Sequence, residues 1–242
     1  MTTSETRRGW RALESLFDAG ALGRLTDGEL LECFQSSRET LGHEAFRVLV
    51  ERHGPMVLGL CRSLVRDPHE ADDAFQATFL VLVRKAESIK RRDTIGPWLH
   101  GVAGRVARRA RDRTVRRQRR EVEANEQIPC PVKPPADTPA VEAIIHDEIA
   151  RLSEAFRAPL VLCCLEGLSY DQAANRLGLT EPTLRGRLHR ARKQLASRLR
   201  GHGITAGAVA SPAEPFRLTL PPVPSSLVES TVQFSVRWSS VT

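Results

Sequence analysis

Leu184, Leu188, Ala191, Leu195 and Leu199 recur three or four residues apart, which puts them on one stripe of an α-helix. Arg185, Arg187, Arg190, Lys193 and Arg198 fall on the opposite face. Similar stripes precede it. Trp10, Leu13, Leu16 and Phe17 predict a short helix over Trp10–Leu22. Thr26 reads as an N-cap with Glu29 as its capping-box partner, starting a helix that carries Leu30, Leu31 and Phe34. His43–His53 is amphipathic through Phe46, Leu49 and Val50; Gly54-Pro55 reads as a break, and Met56–Val65 as a new helix with Val57, Leu60, Cys61 and Leu64 inside. Asp67 is placed to cap a helix from Pro68 to about Ala86, with Glu70 completing the box. Its apolar face is Ala71, Ala74, Phe75, Thr78, Phe79, Leu82 and Val83. A basic loop follows over Ser88–Gly96, then a helix from Pro97 to about Arg119 with Trp98, Leu99, Val102, Val106 and Ala110 inward.

Five prolines (Pro129, Pro131, Pro134, Pro135 and Pro139) then mark residues 121–141 as a semi-extended linker. Beyond it Ile144, Ile145, Ile149 and Leu152 form another stripe, and Pro159–Glu166 reads as a helix ended by Gly167. After Arg200 the chain turns rich in Gly, Ala and Pro, with Ser226–Trp238 the one stretch expected to order. Few segments alternate with period two. The expected fold is therefore all-α, with two small helical domains joined by the Pro-rich linker. The division is 1–40 an N-terminal helical extension, 41–120 the first domain, 121–141 the linker, 142–200 the second domain and 201–242 a tail.

The net charge of +7 hides a sharper pattern. Residues 1–83 carry −4, 84–120 carry +11, 121–166 carry −6, 167–200 carry +6, and the remainder is neutral. Two basic blocks separated by acidic ones point to two contacts with a polyanion, where a uniformly basic chain would bind diffusely.

The second block coincides with the best-punctuated stretch of the chain. Ser169 and Gln172 form a capping box, and Ala173, Ala174 and Leu177 face inward. Gly178 stands where a left-handed residue must end the helix. Thr180 caps the next helix, with Glu181 and Pro182 in its first turn. A short helix, a tight turn and a longer basic helix make a helix-turn-helix. Thr183, Arg185 and Arg187 then reach base edges or phosphates, arginine being the usual reader of guanine.

Other chemistry is absent from the pattern. The five cysteines (Cys33, Cys61, Cys130, Cys163 and Cys164) form no C-x-x-C pair, and the seven histidines make no metal-binding spacing. No metal or cofactor is expected. No triad or phosphate loop suggests an enzyme. Met1–Trp10 has no signal-peptide core, and no apolar run is long enough to span a membrane, so a cytoplasmic location is expected.

The stretch Glu166-Gly-Leu-Ser-Tyr-Asp-Gln-Ala-Ala, with Thr183-Leu-Arg-Gly-Arg-Leu-His-Arg-Ala-Arg-Lys-Gln-Leu, resembles region 4 of sigma-70-type transcription initiation factors. Asp67-Pro-His-Glu-Ala-Asp-Asp-Ala-Phe-Gln-Ala-Thr-Phe-Leu-Val-Leu, followed by Trp98-Leu-His-Gly-Val-Ala, resembles region 2. Two lobes on a short linker, without a region 3, resemble the extracytoplasmic-function (ECF) subgroup over about residues 41–200. The Phe-Gln-Ala-Thr-Phe wording is similar to that of planctomycete-type bacteria. The Pro-rich linker, the N-terminal extension and the tail depart from the pattern.

The resemblance implies roles. Region 2 docks on the β′ clamp coiled coil of core RNA polymerase through Glu70, Asp72, Asp73, Gln76 and Phe79. It opens the −10 element and holds the separated strand through Lys90, Arg91, Arg92, Arg105, Arg108, Arg109 and Arg113. Region 4 adjoins the β flap and reads the −35 element through Glu181, Pro182, Thr183, Arg185, Gly186, Arg187 and Arg190. An anti-sigma factor is a further partner the resemblance admits. Trp98 shares a row with Val102 and Val106, which assigns it to the core rather than to a base-stacking platform. The residues alone also leave open a helix-turn-helix regulator that binds duplex operator DNA without polymerase, and an enzyme acting on nucleic acid. A regulator's sensor lobe has no need of the 84–120 block, and the enzyme lacks a catalytic constellation.

Overall fold

The computed structural model describes residues 22–36, 40–89, 94–124, 138–204 and 220–239. The helix expected over Trp10–Leu22 lies outside them save for its last residue. Every regular element among the described residues is helical: α1 (Asp27–Ser36), α2 (Thr40–Leu64), α3 (Pro68–Lys85), α4 (Ile95–Ala124), α5 (Thr138–Ala150), α6 (Glu154–Leu160), α7 (Tyr170–Leu177), α8 (Glu181–Gly201) and α9 (Ser225–Ser239). A 3-10 turn (Ala86–Ser88) follows α3, and a π-helical turn (Val161–Leu165) continues α6. The chain clusters into two compact units. One gathers Met1–Gly54, Phe79–Ile95 and Pro222–Thr242; the other gathers Pro55–Thr78 and Gly96–Pro221.

The break expected at Gly54-Pro55 does not form, because α2 runs through with Pro55 inside it. An interior proline forfeits one helix hydrogen bond and costs about 3 kcal/mol. Leu49 and Val50 before it, and Val57, Leu58, Leu60 and Cys61 after it, are all fully buried. At roughly 1.5–3 kcal/mol for each such side chain, keeping both rows on one helix outweighs the proline.

In the first unit the capping box at Thr26 forms as expected: the Thr26 N–H donates to Glu29 Oε2 at 2.7 Å, and the Glu29 N–H donates to Thr26 Oγ1 at 3.2 Å. The next residue, Asp27, is buried, with Arg52 Nη1 at 2.6 Å and His53 Nε2 at 3.0 Å. Burial by itself would raise the Asp27 pKa, but His53 and Arg52 reverse this and hold it at about 2. The ionised carboxylate therefore supports the fold above its ordinary value of 3.8, and that support is lost as pH falls through about 2. Phe46 stacks obliquely on Phe34 at 4.9 Å and meets Phe79 edge-on at 6.3 Å. The tail orders as α9, two residues longer than expected. Leu227, Val228 and Val232 are buried, and Glu229 pairs with Arg47 at 2.7 Å.

The second unit holds the end of α2, the start of α3, and α4 to α8. Asp67 caps α3, accepting from the Glu70 N–H at 2.9 Å. The Glu70 carboxylate itself turns to α4, where the Thr114 hydroxyl donates to it. Helix α4 begins two residues before Pro97 and continues to Ala124. Leu99 and Val102 are buried as expected. Trp98 is only half-buried, as are Val106 and Ala110, which line an open cleft. Helix α6 starts after Ser153, well before Pro159, and its π-helical continuation buries Val161, Leu162, Cys163, Cys164 and Leu165.

Candidate nucleic-acid interface

The α7–α8 hairpin is built from local rules. The Ser169 hydroxyl accepts from the Gln172 N–H at 3.2 Å, and the Gln172 carboxamide accepts from the Ser169 N–H at 3.0 Å. Gly178 ends α7 at φ 61°, where a side chain would be strained. The α8 stripe Leu184, Leu188, Ala191, Leu195 and Leu199 is buried. Thr180 has N-cap geometry, but its hydroxyl meets the Thr183 hydroxyl at 2.8 Å instead of a backbone N–H.

The outer face of α8 carries the chemistry. Pro182, Thr183, Arg185 and Arg190 are exposed, while Glu181, Gly186 and Arg187 are half-exposed. Arg185 donates to Glu181 Oε1 from Nε at 2.9 Å and also from Nη2. Its guanidinium lies 5.2 Å from the centroid of the Tyr170 ring. Arg190 donates to the Gly186 carbonyl at 3.3 Å. A Cβ on Gly186 would meet nothing nearer than Arg190 Nη2 at 3.7 Å. The fold therefore makes no steric demand for glycine there, although glycine weakens a helix. Tyr170 and the Glu181 pairing hold Arg185 against the hairpin's entrance, a positioning role for Tyr170 that the helical pattern alone did not single out.

The other basic surface is arranged differently. Glu70, Asp73, Ala74 and Ala77 of α3 and Val106, Ala110, Arg113, Thr114 and Arg117 of α4 line one cleft of about 410 Å³. The residues expected to dock on polymerase and one of those expected to hold DNA thus share a wall. Arg117 lies 3.8 Å from Glu70 Oε1. Asp73 is exposed, Gln76 is half-exposed, and Asp72 lies 3.7 Å from Arg62. Phe79 is not on this face: it is fully buried against Phe46, because the α3 stripe that includes Phe75 and Leu82 turns it into the core.

Along α4, Arg105, Arg109 and Arg113 are exposed. Arg108 is half-buried and pairs with Asp147 of α5 at 2.8 Å, so as it stands its charge is directed into the protein. Lys90, Arg91 and Arg92 lie outside the described residues. A buried cation escaped the helical pattern as well. Arg192, on the buried side of α8, is 7% exposed, with Nη2 4.0 Å from Cys164 Sγ. Burial pushes the neighbouring Cys163 thiol up to about 12, so it remains protonated near neutral pH. No group of three or more His, Cys, Asp or Glu able to hold a metal ion occurs among the described residues. No helix among them is long and apolar enough to cross a membrane.

Comparison with known proteins identifies the two regions of the chain. The family model for sigma-70 region 2 matches residues 49–121, and that for sigma-70 region 4 matches residues 142–195. The ECF RNA polymerase sigma factor SigE of Mycolicibacterium smegmatis is 32% identical over 178 residues, covering 70% of this chain and 67% of that protein. The RNA polymerase sigma factor CarQ of Myxococcus xanthus is 29% identical over 157 residues, covering 63% and 87%. The ECF RNA polymerase sigma-E factor of Haemophilus influenzae is 28% identical over 188 residues, covering 73% and 96%. With both regions matched in order on one helical chain, the protein belongs to the sigma-70 family of RNA polymerase sigma factors, in its extracytoplasmic-function group.

Proposed function

We propose that this sigma factor binds core RNA polymerase and directs promoter-specific initiation, with region 2 opening the −10 element and region 4 reading the −35 element. The observation that carries the reading is the outer face of α8, where Arg185, Arg187 and Arg190 surround Gly186 in the first turns of the helix. Such a helix end suits the major groove, and a missing Cβ lets the backbone come close to DNA. Glu70, Asp72, Asp73 and Gln76 are the polymerase-docking side chains in this reading, on the β′ clamp coiled coil, and region 4 adjoins the β flap. Phe79 acts from the core by holding α3 in place.

Arg105, Arg109 and Arg113, together with Lys90, Arg91 and Arg92, hold the separated −10 strand. The functional division is 41–120 for region 2 and 142–200 for region 4; the expected linker 121–141 is shortened at both ends, because α4 runs to Ala124 and α5 starts at Thr138. Residues 1–40 and 201–242 are additions around this pair. The energy for strand opening comes from binding, and the protein performs no covalent chemistry of its own. It acts where the polymerase is, in the cytoplasm.

Run-off transcription with bacterial core polymerase tests the reading. The expected result is a promoter-specific transcript that depends on this chain, with the chain co-eluting with core. Stable binding to duplex operator DNA without core, and no transcript, would show a regulator instead.

A further inference from the structure

A contact inside the second unit joins the two sigma regions. Helix α4 belongs to the region 2 match, α5 and α6 to region 4, and they meet closely. A Cβ on Gly104 would sit 2.7 Å from Ala150 Cβ, and one on Gly101 would sit 2.9 Å from Arg157 Nη2. Two glycines one helical turn apart thus let the end of α5 and the start of α6 press against α4. Arg157 straps the joint, donating from Nε to the Pro97 carbonyl at 3.2 Å and from Nη1 to the Leu152 carbonyl at 3.0 Å. Arg108 reaches across to Asp147 at 2.8 Å.

At the centre lie two histidines. His100 of α4 and His146 of α5 are buried, with ring centroids 5.8 Å apart and planes 28° from parallel. Neither ring nitrogen of His100, nor Nδ1 of His146, has a hydrogen-bond partner among the described residues. A permanent core rarely buries imidazoles this way, because each unpaired nitrogen weighs against the packed state. We propose that this contact is a latch between the two sigma regions, released by protons taken up at His100 and His146. While it is closed, α4 and the region 4 helices are fixed against each other; once open, they are joined only through the chain between Ala124 and Thr138.

The electrostatics give the sign. The charged groups acting on His100 are Arg157 from α6 and Arg108 from α4, both cations, while burial alone acts on His146. Asp147, beside His146 in sequence, is occupied by Arg108 and by Arg151 at 2.7 Å. Burial first, then His146 and the two arginines, push the His100 pKa well below its usual 6.5. Burial holds His146 at about 4. Groups with lowered pKa favour the closed form fully above their open-state value near 6.5, and that preference falls as pH drops toward the closed-state values. If both rings regain the ordinary value on opening, two units of acidification, from pH 7.5 to 5.5, raise the open-to-closed ratio about 100-fold.

Small-angle scattering of the full chain at pH 7.5 and 5.5, with far-UV circular dichroism on the same samples, tests this. The expected result is an increase in radius of gyration at pH 5.5 with helix content unchanged. The double variant His100→Phe/His146→Phe keeps the packing without the titration and should stay compact at both pH values. Gly104→Leu should open the joint at both. An unchanged radius for the unaltered protein would overturn the latch, as would expansion of the double variant to the same extent. Helix loss in step with expansion would also overturn it, by showing a permanent core. None of these readouts depends on polymerase, so failure here is distinguishable from failure of the promoter reading.

Discussion

The α7–α8 hairpin and the α3–α4 pair both present arginines, and they hold them in opposite ways. In the hairpin the nearest acid to Arg185 is Glu181 on its own helix, and the contact is exposed on both sides, at 62% and 41%. In the α3–α4 cleft, Glu70 comes from another helix and engages both Thr114 and Arg117. A cation paired within its own helix stays on the same face when DNA arrives. A cation paired across a cleft is tied to the fate of the other helix. The hairpin is therefore built as a ready DNA surface, whereas the cleft couples the surface assigned to DNA with the surface assigned to polymerase.

The strongest test of that contrast is Arg185→Ala with Arg187→Ala. A well-placed arginine reading a base contributes about 1–3 kcal/mol. Each change should thus weaken binding of the holoenzyme to a −35 duplex by roughly 5- to 150-fold. Fluorescence anisotropy of labelled promoter DNA reads this, and co-elution with core should be unaltered. Loss of core binding instead would mean that α8 serves the polymerase and that the two regions have been given each other's roles.

Much of this contrast is local, and so legible from residue order. Ser169 with Gln172, Gly178, and the leucine stripe of α8 act over three or four residues, the range that helical spacing describes. The features that residue order leaves hidden depend on partners far along the chain. Glu70 was read as completing a cap at Asp67, but its carboxylate goes to Thr114, 44 residues away. Arg108 is expected to hold DNA, and here its guanidinium pairs with Asp147, 39 residues away. The row Trp98, Val102 and Val106 is expected in the core, and only Val102 is buried there, Val106 being left half-exposed by the cleft. Pro55 was read as a break because local propensity disfavours it, while burial on both sides keeps the helix whole. His100 and His146 carry no pattern at all until α4 and α5 are side by side.

Within the hairpin the two caps differ, and a pair of substitutions sharpens this. Ser169→Ala removes a full capping box and should lower stability by about 1 kcal/mol. Thr180→Ala should cost distinctly less, because the Thr180 hydroxyl meets Thr183 rather than a backbone N–H. Thermal unfolding followed by circular dichroism compares the two. Equal losses would mean that Thr180 caps α8 in solution.

Gly186→Ala separates folding from recognition. Alanine in an exposed helix is favoured over glycine by up to about 1 kcal/mol, and no atom nearer than 3.7 Å obstructs the new Cβ. The melting temperature should rise while affinity for −35 DNA falls. A rise in both would show that the backbone of α8 does not approach the DNA closely.

The smallest effect on stability belongs to Glu70→Gln, and it probes the cleft most directly. Glu70 is 28% exposed and Arg117 is 67% exposed at a separation of 3.8 Å, so solvent screens most of their attraction. A glutamine can still accept from Thr114, and unfolding free energy should change by no more than a few tenths of a kcal/mol. Function should change far more than stability. Removing the charge takes an anion from the face proposed to dock on polymerase and also leaves Arg117 without that counter-charge. Core binding should weaken while affinity of the α4 surface for single-stranded DNA rises, the two moving in opposite directions. Paired measurements, core affinity by competition and single-strand affinity by anisotropy, read both. If core binding falls and DNA affinity stays level, the cleft is merely a shared wall. If both fall, Glu70 holds α4 in its DNA-binding geometry, and the coupling runs through structure instead of charge.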